Sequence, residues 1–162
     1  MDGKGIFAPQ STIQLYTPKG ELFWESNPGP QTWIQYCKVN EVLIGGQRGG
    51  GKTAGLIAWL SMGDSDLAED DPARISFLND PTYRAVIFRQ QYQAMSSLIE
   101  EMAEFFRPFG GKPKGEPVVF EFKSRAMIYC RHLNDKDAYN QIRGWNVTRI
   151  AIEEGTQIPD KQ

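Results

Sequence analysis

The sequence predicts an α/β fold with a largely parallel sheet, and three observations predict it. Short apolar runs alternate with helix-spaced amphipathic stretches along the chain. A glycine-rich segment joins one apolar run directly to a helical one. The 162 residues, 40% hydrophobic and 23% charged, suit one soluble domain with a continuous core. A formal net charge of -2 excludes a broadly basic nucleic-acid coat, although a local basic surface is still allowed. Met1 to Gln10 lacks the apolar centre of a signal peptide, and no stretch approaches the roughly 20 apolar residues of a membrane span.

The elements follow in order. Residues 1–30 read as an irregular N-terminal arm with one hairpin, Thr12–Tyr16 and Leu22–Trp24, turned by Thr17-Pro18-Lys19-Gly20. Pro28-Gly29-Pro30 closes the arm, and residues 31–162 form the main domain. Gln31–Lys38 is expected to be a short helix with Trp33, Ile34 and Tyr36 on its apolar faces. Val39–Ile44 reads as a buried strand, and Thr53–Met62 as a helix that packs through Leu56, Ile57, Trp59 and Leu60. The carboxylates between Gly63 and Pro72 read as a solvated loop. Arg84–Arg89 is the next strand. Gln93–Phe106 is an amphipathic helix carrying Met95, Leu98, Ile99, Met102, Phe105 and Phe106, stopped by Pro108, Gly110 and Gly111. Val118–Phe122 and Ala126–Cys130 form a β-hairpin, and Val147–Ile152 is a last short strand running into Glu153-Glu154.

Between strand and helix, Gly46-Gln47-Arg48-Gly49-Gly50-Gly51-Lys52-Thr53 fits G-x-x-x-x-G-K-[ST] without a mismatch. Glycines let successive backbone N–H groups converge on phosphate oxygens, and the helix start adds unpaired donors and the positive end of its dipole. Lys52 can reach the β and γ phosphates, and the Thr53 hydroxyl can ligate Mg2+. The motif therefore predicts a P-loop NTPase that binds ATP with magnesium. A hydrolase of this kind also needs a carboxylate at a strand end for the metal's hydration shell and a group to orient water. Arg149-Ile150-Ala151-Ile152-Glu153-Glu154 offers Glu153 for the first and Glu154 for the second. This makes the fold the additional-strand, catalytic-glutamate type, with a β-hairpin insertion and helices flanking a mostly parallel sheet.

The two cysteines, Cys37 and Cys130, show no metal-ligand spacing and read as reduced thiols, buried or half-buried. His132, the one histidine, ends a strand-like run and is not expected to act as a base.

From about Pro28 to Pro159 the chain resembles the N-terminal ATPase domain of the large terminase subunit, the DNA-packaging motor of tailed bacteriophages and related viruses. Gln31, in Pro-Gly-Pro-Gln-Thr, is similar to the family's adenine-recognising glutamine. Arg48 is similar to the arginine that the family places inside the loop near the γ-phosphate. Val86-Ile87-Phe88-Arg89 before a long helix, and Gln141-Ile142-Arg143-Gly144-Trp145 before the Glu153 strand, complete the resemblance. It implies catalysis by Glu154, Lys52 and Arg48. Nucleotide contacts are implied for Gln31, Gly46, Gln47, Arg48, Gly49, Gly50, Gly51, Lys52 and Thr53, and magnesium at Thr53 and, through water, Glu153. It also implies translocation of double-stranded DNA into a procapsid by a ring of copies, working with a portal and a small terminase subunit in the host cytoplasm. Gln31 read without the family is a helix cap, and Arg89 is a partner for a nearby carboxylate.

Two departures stand out. The family usually has Asp-Glu where this chain has Glu153-Glu154, and the extra methylene moves the carboxylate by roughly 1.5 Å. The sequence also ends soon after Glu154, where the family continues with a coupling motif and a nuclease domain, so a truncated or split ATPase with weak turnover is expected. Another P-loop motor, such as a helicase or segregation ATPase, and a nucleotide-binding assembly module without turnover remain alternatives. For DNA contact, Lys112, Lys114, Lys123, Arg125 and Arg131 cluster around the hairpin, as a phosphate track or as ordinary solvated surface.

Overall fold

A computed structural model of the chain describes residues 12–37, 41–44, 51–62, 75–89, 92–133 and 143–153. The chain divides into two compact units, Met1–Ser76 and Phe77–Gln162.

In the first unit, strands β1 (Gln14–Tyr16) and β2 (Leu22–Glu25) pair antiparallel. The expected turn closes them: Gly20 N–H donates to the Thr17 carbonyl and Thr17 N–H to that of Glu21, each at 2.8 Å. Helix α1 (Pro30–Tyr36) starts with proline at its first position, where a missing N–H costs nothing. Helix α2 (Lys52–Ser61) buries Gly55, Ile57, Ala58, Leu60 and Ser61, while Leu56 and Trp59 are only half-buried. Its packing stripe is thus rotated from the expected one toward small residues, because α1 lies alongside and comes close at Gly55. The buried strand expected over Val39–Ile44 is corrected by the described part. Glu41–Ile44 has no strand pairing, and Val42 and Leu43 are 47% and 88% exposed. Apolar composition supplied the expectation, but a strand needs a neighbour's backbone groups to pair with, and these four residues have none among the described residues.

The second unit opens with the short helix α3 (Ser76–Asn79), which spans the boundary, and continues with β3 (Arg84–Arg89) and α4 (Tyr92–Phe106). A 3-10 turn, Arg107–Phe109, follows. The remaining strands are β4 (Lys112–Lys114), β5 (Val119–Glu121), β6 (Met127–His132) and β7 (Arg149–Ile152). They form one sheet in the order β4-β5-β6-β3-β7. β3 runs parallel to both β6 and β7, whereas β4, β5 and β6 are antiparallel neighbours. The sheet is therefore mixed and not mostly parallel. The expected hairpin is not an appendage: its strand β6 is itself a central strand, so the hairpin extends the sheet in its own plane. Pro113 fits because β4 is an edge strand with no further ladder to serve among the described residues.

One face of this sheet carries the core. Met95, Leu98, Met102, Phe105 and Phe106 of α4 are buried, as their spacing predicts, while Ile99 is half-buried. Phe106 packs edge-on against Phe105, Phe120 and Phe122 at centroid distances of 5.6, 5.3 and 5.3 Å. Gly111 closes the turn beneath them, where a Cβ would fall 2.6 Å from that of Phe106 and 2.7 Å from the Phe122 ring.

Candidate functional site

The described end of the glycine-rich loop is Gly51-Lys52-Thr53. Gly51 caps α2 in the left-handed region, φ 66°, and a Cβ there would lie 2.6 Å from the Gln31 amide nitrogen. Glycine is thus demanded twice, by conformation and by space. Lys52 and Thr53 are the first two residues of α2. No side chain caps this helix, and its first turn holds no acidic residue, so the sequence of that turn adds no negative charge to the positive end of its dipole. Gly46, Gln47, Arg48, Gly49 and Gly50 lie outside the described residues.

Helix α1 supports this helix start through two glutamines one turn apart, both buried. The Gln31 Nε2 donates to the Gly51 carbonyl at 2.6 Å, and Gln35 Nε2 donates to the Gly55 carbonyl at 2.7 Å. The Gln31 Oε1 accepts the Asn27 N–H. The Gln31 carboxamide therefore spends both ends on backbone, and it fastens the chain before α1 to the end of the loop. Around it, Thr32 donates to the Asn27 carbonyl at 2.7 Å and shares a 2.7 Å hydrogen bond with Ser26, whose hydroxyl accepts the Ile13 N–H at 2.8 Å. This polar web joins β1, β2, α1 and α2. Gln35 escaped the sequence reading, although its i+4 spacing from Gln31 on a proline-started helix was a usable signal. Its Oε1 is buried with no hydrogen-bond partner among the described residues.

In the second unit, the ends of the parallel strands bring three side-chain positions to one edge. Glu153 follows β7, held by its N–H to the Phe88 carbonyl at 2.9 Å. Arg89 ends β3, and its register partner His132 ends β6. Arg89 Nε lies 3.0 Å from Glu153 Oε2, with the two side chains only 13% and 9% exposed. Arg89 Nη1 also donates to Ser97 Oγ at 3.1 Å. The carboxylate partner expected for Arg89 is therefore Glu153 itself, the residue assigned to magnesium. Removing one member of a buried pair typically costs about 3–5 kcal/mol, because the other charge is stranded. Glu154 lies outside the described residues. His132, set aside by the sequence reading, stands at this same edge.

The proposed DNA contacts separate by environment. Lys112, Lys123 and Arg125 are exposed, and Lys114 pairs with Glu121 at the surface. Arg131 is half-buried and turned onto aromatic rings, its Nη1 donating to the Cys130 carbonyl at 2.7 Å. Both cysteines are free, with Cys37 half-buried and Cys130 buried. Burial pushes the Cys130 thiol up to about 12, a shift the nearby Arg131 only partly offsets. Among the described residues no three His, Cys, Asp or Glu side chains gather into a metal-binding group, and no helix is long and apolar enough to cross a membrane.

Comparison of the chain with protein families, with characterised proteins and with solved structures finds no match.

Proposed function

We propose that this chain is a P-loop ATPase domain of the terminase type, which couples ATP hydrolysis to movement of double-stranded DNA into a procapsid. The observation that carries the reading is the unbroken Gly46–Thr53 motif opening onto α2, a helix start with no side-chain cap and no acidic residue. The fold that fits it is the additional-strand, catalytic-glutamate P-loop class. The partners it implies are further copies of the chain in a ring, a portal and a small terminase subunit, in the host cytoplasm.

Lys52 and the loop amides would bind the phosphates, with Arg48 near the γ-phosphate. The residues that would hold magnesium are the Thr53 hydroxyl and, through water, Glu153. These are hard oxygen donors of the kind this ion takes, and bound there it would neutralise charge on the phosphates. Glu154 would orient the attacking water. Gln31, tied to the Gly51 carbonyl, sets the shape of the loop's end and reads adenine only by exchanging its bonds to Asn27 and Gly51.

Binding of a fluorescent ATP analogue with magnesium tests the reading. Lys52→Ala should weaken it on the order of a hundred-fold, through loss of a charge-assisted phosphate contact. Glu154→Gln should keep binding while any turnover disappears. Equal binding by the Lys52→Ala chain would reject the proposal.

One observation favours a second reading, a nucleotide-binding module without turnover. Glu153 is already engaged by Arg89, so its carboxylate is committed before any metal arrives. Under that reading the analogue binds, and the unsubstituted chain releases no phosphate.

A further inference from the structure

The sheet face opposite α4 carries a second cluster, remote in sequence from the phosphate loop. Alternation along β6 sends Ile128 and Cys130 into the core, where the Cys130 Sγ lies 3.9 Å from Met102 of α4. Tyr129 and Arg131 consequently point to the other face. There Tyr129 meets Trp145, with ring centroids 4.6 Å apart and planes inclined by 48°. The Arg131 guanidinium lies 5.4 Å from the centre of the Tyr129 ring and 5.3 Å from that of Trp145, within cation–π range of both.

The two rings line an open cleft of about 510 Å³ together with Thr82, Arg84, Asn146 and Val147. Arg84 is fixed in its wall: Nη1 donates to the carbonyls of Pro81, Tyr83 and Arg125 at 3.1, 2.7 and 3.0 Å. Arg125 and Arg143 are exposed, in the β5–β6 turn and two residues before Trp145 respectively. Among the described residues the acidic group nearby is Asp80, whose carboxylate accepts the Thr82 N–H and hydroxyl at 2.8 and 2.7 Å. Those hydrogen bonds hold it below the usual carboxylate range.

Aromatic packing alone would account for a buried Tyr–Trp–Arg stack. It does not account for rings left half-buried beside an open cleft, with exposed Thr82 and Asn146 on its lining and, among the described residues, more cations than anions around it. Aromatic rings beside guanidinium groups and a positive surround are the elements of a single-strand stacking platform, because every nucleobase has a π face. A duplex keeps those faces stacked internally and would engage only the cations.

We propose that this cleft binds an unstacked base of single-stranded nucleic acid. The base stacks on the Trp145–Tyr129 pair, and the flanking phosphates are met by Arg84, Arg125 and Arg143. The site uses no residue of the phosphate loop and does not depend on nucleotide hydrolysis.

The test is fluorescence anisotropy of a dye-labelled oligothymidylate titrated with the full chain, without nucleotide. The unsubstituted chain should bind, more weakly as salt rises. Trp145→Ala should weaken binding roughly ten-fold or more, and Trp145→Phe should keep most of it. Asn146→Glu, an exposed change that places a negative charge in the cleft, should weaken it several-fold. Lys52→Ala should leave it unchanged, which separates failure of this site from failure of the ATPase reading. No binding by the unsubstituted chain, or wild-type affinity in Trp145→Ala, overturns the proposal. If circular dichroism shows Trp145→Ala unfolded, Asn146→Glu decides: a several-fold loss supports the cleft, and unchanged affinity overturns it.

Discussion

Among the described residues, polar side chains cross the interior of the unit Met1–Ser76, whereas that of Phe77–Gln162 is almost wholly apolar. In the first, Ser26, Gln31, Thr32, Gln35 and Ser61 are buried, and most of them bond to backbone of another element. In the second, the interior is filled by Val86, Ile87, Leu98, Met102, Phe106, Phe120 and Ile128, and Glu153 is the buried polar exception among the described residues. The contrast has a physical sense. Apolar packing is non-directional and suits a scaffold, while hydrogen bonds to particular carbonyls fix where a loop end and a helix start must lie. The unit that carries the Gly51–Thr53 helix start is built for position, and the sheet unit for cohesion.

The largest expected effect that would break this comparison is in the sheet unit. Phe106→Ala removes a fully buried ring that packs against three other phenylalanines, and should cost about 3–5 kcal/mol in chemical denaturation. Amide exchange should accelerate in α4 and β5. Unchanged exchange there would mean that the phenylalanine cluster does not hold the sheet unit together.

A middle-sized effect belongs to the polar web. Gln31→Ala leaves the Gly51 carbonyl and the Asn27 N–H without their side-chain partner, for a loss of about 1–3 kcal/mol. Faster exchange should be confined to α1 and the first turn of α2. No change in exchange there would show that the loop end is held without this glutamine.

The smallest effect is on alkaline stability and sharpens the apolar half of the comparison. The folded chain holds the Cys130 proton beyond its ordinary 9.0, up to about 12, while the unfolded chain releases it. The stabilising contribution is therefore complete below pH 9 and is lost as pH rises toward 12. At pH 10 the loss is on the order of 1 kcal/mol. Cys130→Ala should abolish the slope that begins near pH 9. Tyr83, raised from 10.0 chiefly by burial, should leave one that begins a unit higher. A denaturation midpoint flat from pH 8 to 10 would contradict the buried placement of Cys130.

Legibility in the sequence followed the range of the forces involved. The α4 stripe, the β5–β6 hairpin and the β1–β2 turn were readable because periodicity and turn chemistry act within a few residues. The run Val39–Ile44 misled at Glu41–Ile44, since apolar composition describes what a strand would bury and not whether a neighbour pairs with it. At the candidate site, Lys52 and Thr53 were placed at a helix start by their motif alone. That Gln31 would turn both ends of its amide to backbone, and Glu153 its carboxylate to Arg89, was not readable from spacing. Arg89 and Glu153 are far apart in the chain and meet only because β3 and β7 are parallel neighbours.

The sequence by itself determined the Gly46–Thr53 motif, the helix that follows it and the strand that runs into Glu153, because each is written in contiguous residues with their own backbone preferences. Tertiary structure alone decided the mixed sheet order, the Arg89–Glu153 pair, the glutamine supports of α2 and the Tyr129–Trp145 cleft. Each of these depends on which distant backbone groups and side chains become neighbours, and local propensity carries no record of that.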